Sequence, residues 1–192
     1  MRAGHHAGET RPACQKPPGR SRAGKPAIFR PWPTAGLQPC LHNKKMNIFE
    51  ALRISHVTQR ALADNLIQTQ VDTHERASIF RTLKLELAAH AAAEERFFYV
   101  PLIAHDMTQE SSRHGIAEHH QMDKLVEALE AADPSSPAWL AAAKALHHKI
   151  YHHLEDEENS VFQVAGKVLG EDEKLSLARD YEGEFVSQRL KD

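Results

Sequence analysis

Histidine and glutamate recur four residues apart at two places in this 192-residue chain: His90 with Glu94 in "HAAAEE", and His153 with Glu157 in "HLEDEE". On a helix, residues i and i+4 lie on one face about 6 Å apart, so one ion can be held by both members of such a pair. His56 and His119 stand alone on the same kind of apolar background. A buried carboxylate without a partner costs several kcal/mol and would ordinarily take up a proton. A pair of divalent cations removes that problem. It satisfies all six side chains, each Glu can bridge both ions, and each ion keeps two His ligands. Imidazole suits iron, zinc and copper, whereas hard all-oxygen sites suit magnesium or calcium. The donor set therefore favours iron, then zinc or manganese.

The elements that must position these residues are helices. From residue 46 onward the apolar residues recur at helical spacing with almost no strand-like alternation. The spacing predicts a first helix over about 48–69, with Phe49, Leu52, His56, Ala63 and Leu66 on one face. Asp72 or Thr73 can cap a second helix over about 75–103. Its stripe of Phe80, Leu83, Leu87, His90, Glu94, Phe97 and Pro101 alternates steps of three and four residues, the pattern of a bundle seam. Pro101 is expected to bend or end that helix near Tyr99. A third helix over about 109–131 turns Ile116, His119, Met122, Val126 and Leu129 inward. Ser136 and Pro137 suit the start of a fourth, over about 137–169, with a seam of Trp139, Ala143, Leu146, Ile150, His153, Glu157 and Val161. Gly170 is expected to end it in a left-handed cap. A shorter fifth helix over about 171–190 (Leu175, Leu177, Ala178, Tyr181, Phe185) is expected against the outside of the bundle. Long helices with short links predict an all-α protein: an antiparallel up-down-up-down four-helix bundle with a short additional C-terminal helix.

The seam register separates ligands from bystanders. His56, His90, Glu94, His119, His153 and Glu157 sit on seams; each helix contributes one inward His, and the second and fourth add a Glu one turn later. Di-iron carboxylate bundles follow a related plan, with single Glu residues on two helices and Glu-x-x-His on the other two. Here His replaces the single Glu and the paired motif is reversed. His120 stands in reserve for His119, although Met122 and Val126 favour His119. His147, His148 and His152 read as surface residues, and His74, His105 and His114 as helix-end residues. Tyr99, Tyr151 and Phe98 read as packing, with pocket lining as the other reading.

Charge divides the chain. Residues 1–45 hold nine Lys or Arg against Glu9 alone, a balance of +8, so the overall −2 leaves −10 on residues 46–192. An acidic body argues against nucleic acid as its main partner. The first 45 residues also hold seven of the ten prolines and five of the nine glycines, a composition expected to be disordered. That stretch reads as a targeting segment, as a basic arm for an anionic partner, or as an over-long start before a true start at Met46. The last reading is favoured. Both cysteines, Cys14 and Cys40, lie there, so the body has no thiol chemistry. No apolar run reaches the ~18 residues of a membrane span, which points to a cytoplasmic protein with no membrane partner. G-x-S-x-G, G-x-x-x-x-G-K-[ST], G-x-G-x-x-G and H-E-x-x-H are all absent from the sequence, which leaves hydrolase and nucleotide-enzyme readings little support.

His56, "HAAAEE", "EHHQM" at 118–122 and "HLEDEE" together resemble the hemerythrin-like, HHE cation-binding domain family over essentially all of residues 46–192. The resemblance implies two non-haem iron ions in a four-helix bundle, bridged by carboxylates and an oxo or hydroxo group. It also implies roles in oxygen binding, oxygen or iron sensing, or handling of nitric oxide or peroxide. Two departures stand out. Oxygen-carrying members have a His-x-x-x-His pair on the third helix, whereas the position four before His119 is Gly115 and four before His120 is Ile116. They also place the last acid five residues after its His; here Glu157 at four matches the seam and the first pair, and Glu158 at five is the reserve candidate, as Glu95 is on the second helix. The expectation is a di-iron protein that binds oxygen, nitric oxide, peroxide or iron itself, as sensor, buffer or protectant. The alternative is an enzyme with peroxidase- or ferroxidase-type activity.

Overall fold

A computed structural model describes residues 45–191 apart from residue 72. The readings made above for residues 1–44, including disorder and an over-long start, lie outside the described residues, as does Asp72. What is described is helical throughout: α1 (Ile48–Gln68), α2 (His74–Glu94), α3 (Val100–Ile103), α4 (Asp106–Ala131), α5 (Pro137–Asp156), α6 (Phe162–Val168) and α7 (Glu171–Arg189). Single π-helical turns, Glu95–Tyr99 and Glu157–Val161, join α2 to α3 and α5 to α6. Each joined set is thus one long rod, and the described chain has five rods in all.

Local chemistry starts these rods where the sequence predicts. Asn47 forms a reciprocal cap with Glu50: the Glu50 N–H donates to Asn47 Oδ1 at 3.0 Å, and the Asn47 N–H donates to Glu50 Oε2 at 3.0 Å. Thr73 Oγ1 accepts from the Arg76 N–H at 3.1 Å, and Ser136 Oγ from that of Trp139 at 3.1 Å. Gly170 differs from expectation. Its φ of −72° and ψ of 161° are extended, so it opens α7 rather than closing α6 with a left-handed residue.

Packing closes α1, α2, α4 and α5 into a ring, in which α1 touches α2 and α5 while α4 touches α5 and α2. α7 lies across α1 and α2. Two apolar clusters fill the interior. One gathers Ile48, Leu52, Phe98, Leu102, Phe162 and Ala165; the other gathers Leu66, Leu83, Leu129, Trp139, Leu146 and Ile150. Each fully buried aliphatic side chain contributes about 1.5–3 kcal/mol. Along α1, His56 falls between the residues of the two clusters, and so do His90 on α2 and Glu157 on the α5 rod.

The π turns change the seam. The Val100 N–H bonds to the Glu95 carbonyl and the Phe162 N–H to that of Glu157, each five residues back. One extra residue in a turn rotates everything after it by about one residue's 100°. The expected stripe positions Phe97 and Pro101 are accordingly only partly buried, and Phe98, Tyr99 and Leu102 are fully enclosed in their place. Pro101 does not end the rod, which runs on to Ile103 because the π turn has already displaced the ladder at the position where proline lacks its N–H. On α4, Ile116 is only partly buried and Gly115, Ser112 and Glu118 are enclosed instead.

Candidate metal centre

Four helices deliver six side chains to one place. His56 comes from α1, His90 and Glu94 from α2, His119 from α4, His153 from α5, and Glu157 from the first position of its π turn; all six are buried. They form two overlapping groups. His90, Glu94, His119 and His153 make one, and His56, His90, Glu94 and Glu157 make the other, with the ligand atoms of each group within 4.8 Å of one another. His90 and Glu94 belong to both.

The inward atoms are close but poorly paired. Glu94 Oε2 lies 3.2 Å from His90 Nε2 and 3.2 Å from His119 Nε2, and Glu157 Oε2 lies 3.1 Å from His56 Nε2. His119 Nε2 faces His153 Nε2 at 3.2 Å. Yet His56 Nε2, His90 Nε2, both oxygens of Glu94 and Glu157 Oε2 complete no hydrogen bond. Leaving one buried polar atom unsatisfied costs about 1–3 kcal/mol, so five so close together call for a partner. Imidazole lone pairs converge with carboxylate oxygens, a donor set that could hold a metal cation.

The outward atoms are paired without exception. His56 Nδ1 meets Glu158 Oε1 at 2.8 Å, His119 Nδ1 meets Glu95 Oε1 at 2.9 Å, and His153 Nδ1 meets Glu118 Oε2 at 2.9 Å. His90 Nδ1 meets the Tyr181 hydroxyl at 3.0 Å. In the neutral imidazole such partners fix the tautomer that keeps the proton on Nδ1 and the lone pair on Nε2, aimed inward. Glu95 and Glu158 each directly follow an inward Glu, and each bonds the histidine of a neighbouring helix.

Charge sets the resting protonation. Burial works against protonation of His56, but Glu157 and Glu158 outweigh it and raise its pKa to about 9. Burial likewise opposes Glu94 and Glu95 at His119, which ends at about 10. His90 has no such pair, and burial pushes it down to about 4. Burial and the neighbouring Glu94 charge push Glu157 up to about 8, while Glu94 itself stays well below the usual carboxylate range because His90 and His119 outweigh its burial. Glu118 and Glu158 are both held down at about 2: His153 and Lys149 outweigh burial at the former, and a hydrogen bond from His56 leads at the latter.

The profile of the hemerythrin HHE cation binding domain matches residues 47–165. The chain belongs to that family. A crystal structure of an HHE cation binding domain-containing protein from Mycobacterium kansasii superposes with a TM-score of 0.68 at 22% identity, over 76% of this chain and 89% of that one, so the fold is shared. A DNA nickase of a Nostoc species is 25% identical over 147 residues. That alignment takes in 76% of this chain but 41% of the nickase, so the chain spans less than half of that relative's length.

In this HHE domain, the slot of the absent third-helix histidine is filled. A Cβ at Gly115 would stand 2.3 Å from the Tyr99 hydroxyl oxygen, so only glycine admits that ring. Tyr99 is fully buried and donates to Glu157 Oε1 at 3.1 Å. That bond leaves Glu157 one open oxygen, whereas Glu94 has two. The expectation that both carboxylates bridge two ions is therefore matched differently by the two: Glu94 lies in both groups and Glu157 in one. His120 is exposed and takes no part, and His148 and His152 are at the surface. Sequence reasoning missed Glu118, Tyr181 and the positioning duties of Glu95, Glu158 and Tyr99. Glu118 next to His119 points about 100° away from the seam, so periodicity carried no sign of it.

Proposed function

We propose that the protein is a non-haem di-iron protein whose His56, His90, Glu94, His119, His153 and Glu157 hold two iron ions in an antiparallel up-down-up-down four-helix bundle. It binds oxygen, nitric oxide, peroxide or iron itself, in the cytoplasm, as a sensor, buffer or protectant. The observation that carries this reading is the set of five unsatisfied buried atoms converging from four of those side chains, backed on the outside by paired Nδ1 atoms. When bound, two irons supply a coordination position open to a small ligand. The chain's own part is to hold imidazole lone pairs inward, to keep water out with the two apolar clusters, and to leave Glu94 free on both oxygens. Nicking of DNA is not carried over, because residues 46–192 have a net charge of −10 and a phosphate backbone demands the opposite sign.

Elemental analysis of the full chain expressed in iron-replete cells tests the reading. About two irons per chain, falling sharply in His90→Ala and His153→Ala variants that keep their helicity, is the expected result. Less than half an ion per chain in well-folded protein means that the six residues form a polar core network and nothing more. Peroxide consumption by the iron-loaded protein separates a binding role from a peroxidase-type one.

A further inference from the structure

Three of the four inward histidines rest their Nδ1 directly on a carboxylate. His90, shared by both groups, rests on a phenol instead, and that phenol comes from α7, beyond the 47–165 span that the family profile matches. We infer that α7 is a working part of the metal centre: Tyr181 and Ser55 connect His90 to a fourth outer carboxylate, Glu86, which orients His90 at a distance. The inference rests on the di-metal reading above.

The Tyr181 hydroxyl lies against His90 Nδ1 at 3.0 Å, and Tyr181 lines the same cavity as Ser55 and Glu86. Ser55 Oγ donates to Glu86 Oε1 at 2.8 Å. Arg189, also from α7, donates to Glu86 Oε2 at 2.8 Å. Ser55 is 6% exposed, Glu86 2% and Tyr181 3%, so the chain of bonds runs through the interior.

The polarity of the chain is determined by its ends. With the lone pair of His90 on Nε2, the proton must sit on Nδ1 and point at the Tyr181 oxygen. The Tyr181 O–H must then donate onward, and Ser55 Oγ, in the lining of the same cavity, is assigned as its acceptor. Gln59 Nε2 donates to the same Oγ at 3.3 Å. With the assigned bond from Tyr181, Ser55 accepts twice and donates once, which is the full capacity of a hydroxyl. Every proton points outward toward Glu86, an order in which each bond polarises the next. A cavity of about 350 Å³ is walled in part by Ser55, Glu86, Tyr181 and Arg189, so the far end of the chain meets the surface between α1 and α7.

The test uses the full chain loaded with cobalt(II), with affinity read by chelator competition and ligand geometry by the visible absorption of the bound ion. Tyr181→Phe should weaken binding about ten- to hundredfold, the usual effect of losing a partner to a ligating histidine, and shift the absorption. Ser55→Ala and Glu86→Gln should act in the same direction with smaller size, and combining either with Tyr181→Phe should add little. Tyr151→Phe, which removes a hydroxyl bonded to Asp64 away from the centre, should change neither readout. Unchanged affinity and spectrum in folded Tyr181→Phe, or full additivity of the pairs, overturns the relay. If Tyr181→Phe does not fold, Ser55→Ala decides alone, with no effect counting against. Failure of the unaltered chain to bind cobalt overturns the di-metal reading instead.

Discussion

The two His–Glu pairs are the same in sequence and different in the structure. His90-Glu94-Glu95 and His153-Glu157-Glu158 share their spacing, the π turn that begins after Glu94 and at Glu157, and an acid that reaches to the histidine of another helix. Their neighbours separate them. Glu94 keeps both oxygens open and lies in both ligand groups; Glu157 gives one oxygen to Tyr99 and lies in one. His153 meets its carboxylate directly, while His90 meets a phenol from α7. Equal local chemistry has produced one shared pair and one terminal pair, because the third partner of each comes from elsewhere in the fold.

The largest effects should come from breaking that inequality at the ligands. His90→Ala removes a member of both groups and should abolish binding of both ions, whereas His153→Ala should leave one, as read by metal content per chain with circular dichroism to confirm folding. Equal losses would mean the pairs are equivalent. Glu94→Gln should likewise cost more affinity than Glu157→Gln, because Glu94 lies in both ligand groups and Glu157 in one.

Protons sharpen the same contrast. At neutral pH, without metal, His56 (about 9), His119 (about 10) and Glu157 (about 8) carry protons, and His90 (about 4) does not. A metal ion takes only the unprotonated groups, so uptake releases protons and affinity falls as pH drops below these values, by about tenfold per unit for each proton displaced. Titration of the released acid during metal addition at pH 6 and pH 9 should show the difference. Release that does not vary with pH would contradict the assignment.

Smaller effects test how Tyr99 came to favour one carboxylate. Gly115→Ala forces a Cβ into the Tyr99 ring, which is enclosed and bonded to Glu157, and should cost about 1–3 kcal/mol in denaturant unfolding. Gly166→Ala, on α6 with open space around its Cβ, should instead stabilise by about 0.5–1 kcal/mol. Similar values for the two would show that the Tyr99 slot is soft.

Periodicity alone placed the helices, their caps at Thr73 and Ser136, and all six inward residues, because a seam of threes and fours has one register that buries its apolar members. It failed at Phe97 and Pro101, where a π turn adds a residue that no hydrophobic pattern announces. It failed at Gly170, whose extended backbone opens a helix. It also put α7 outside the bundle as packing, although Tyr181 reaches His90. The sequence by itself determined that His56, His90, Glu94, His119, His153 and Glu157 face inward, since their register depends on spacing within a single helix. Only the tertiary structure decided which oxygen bonds Tyr99, which acid backs each histidine, and which pair both groups share. Those outcomes depend on distances between residues as far apart as His90 and Tyr181, which become fixed when separate helices pack.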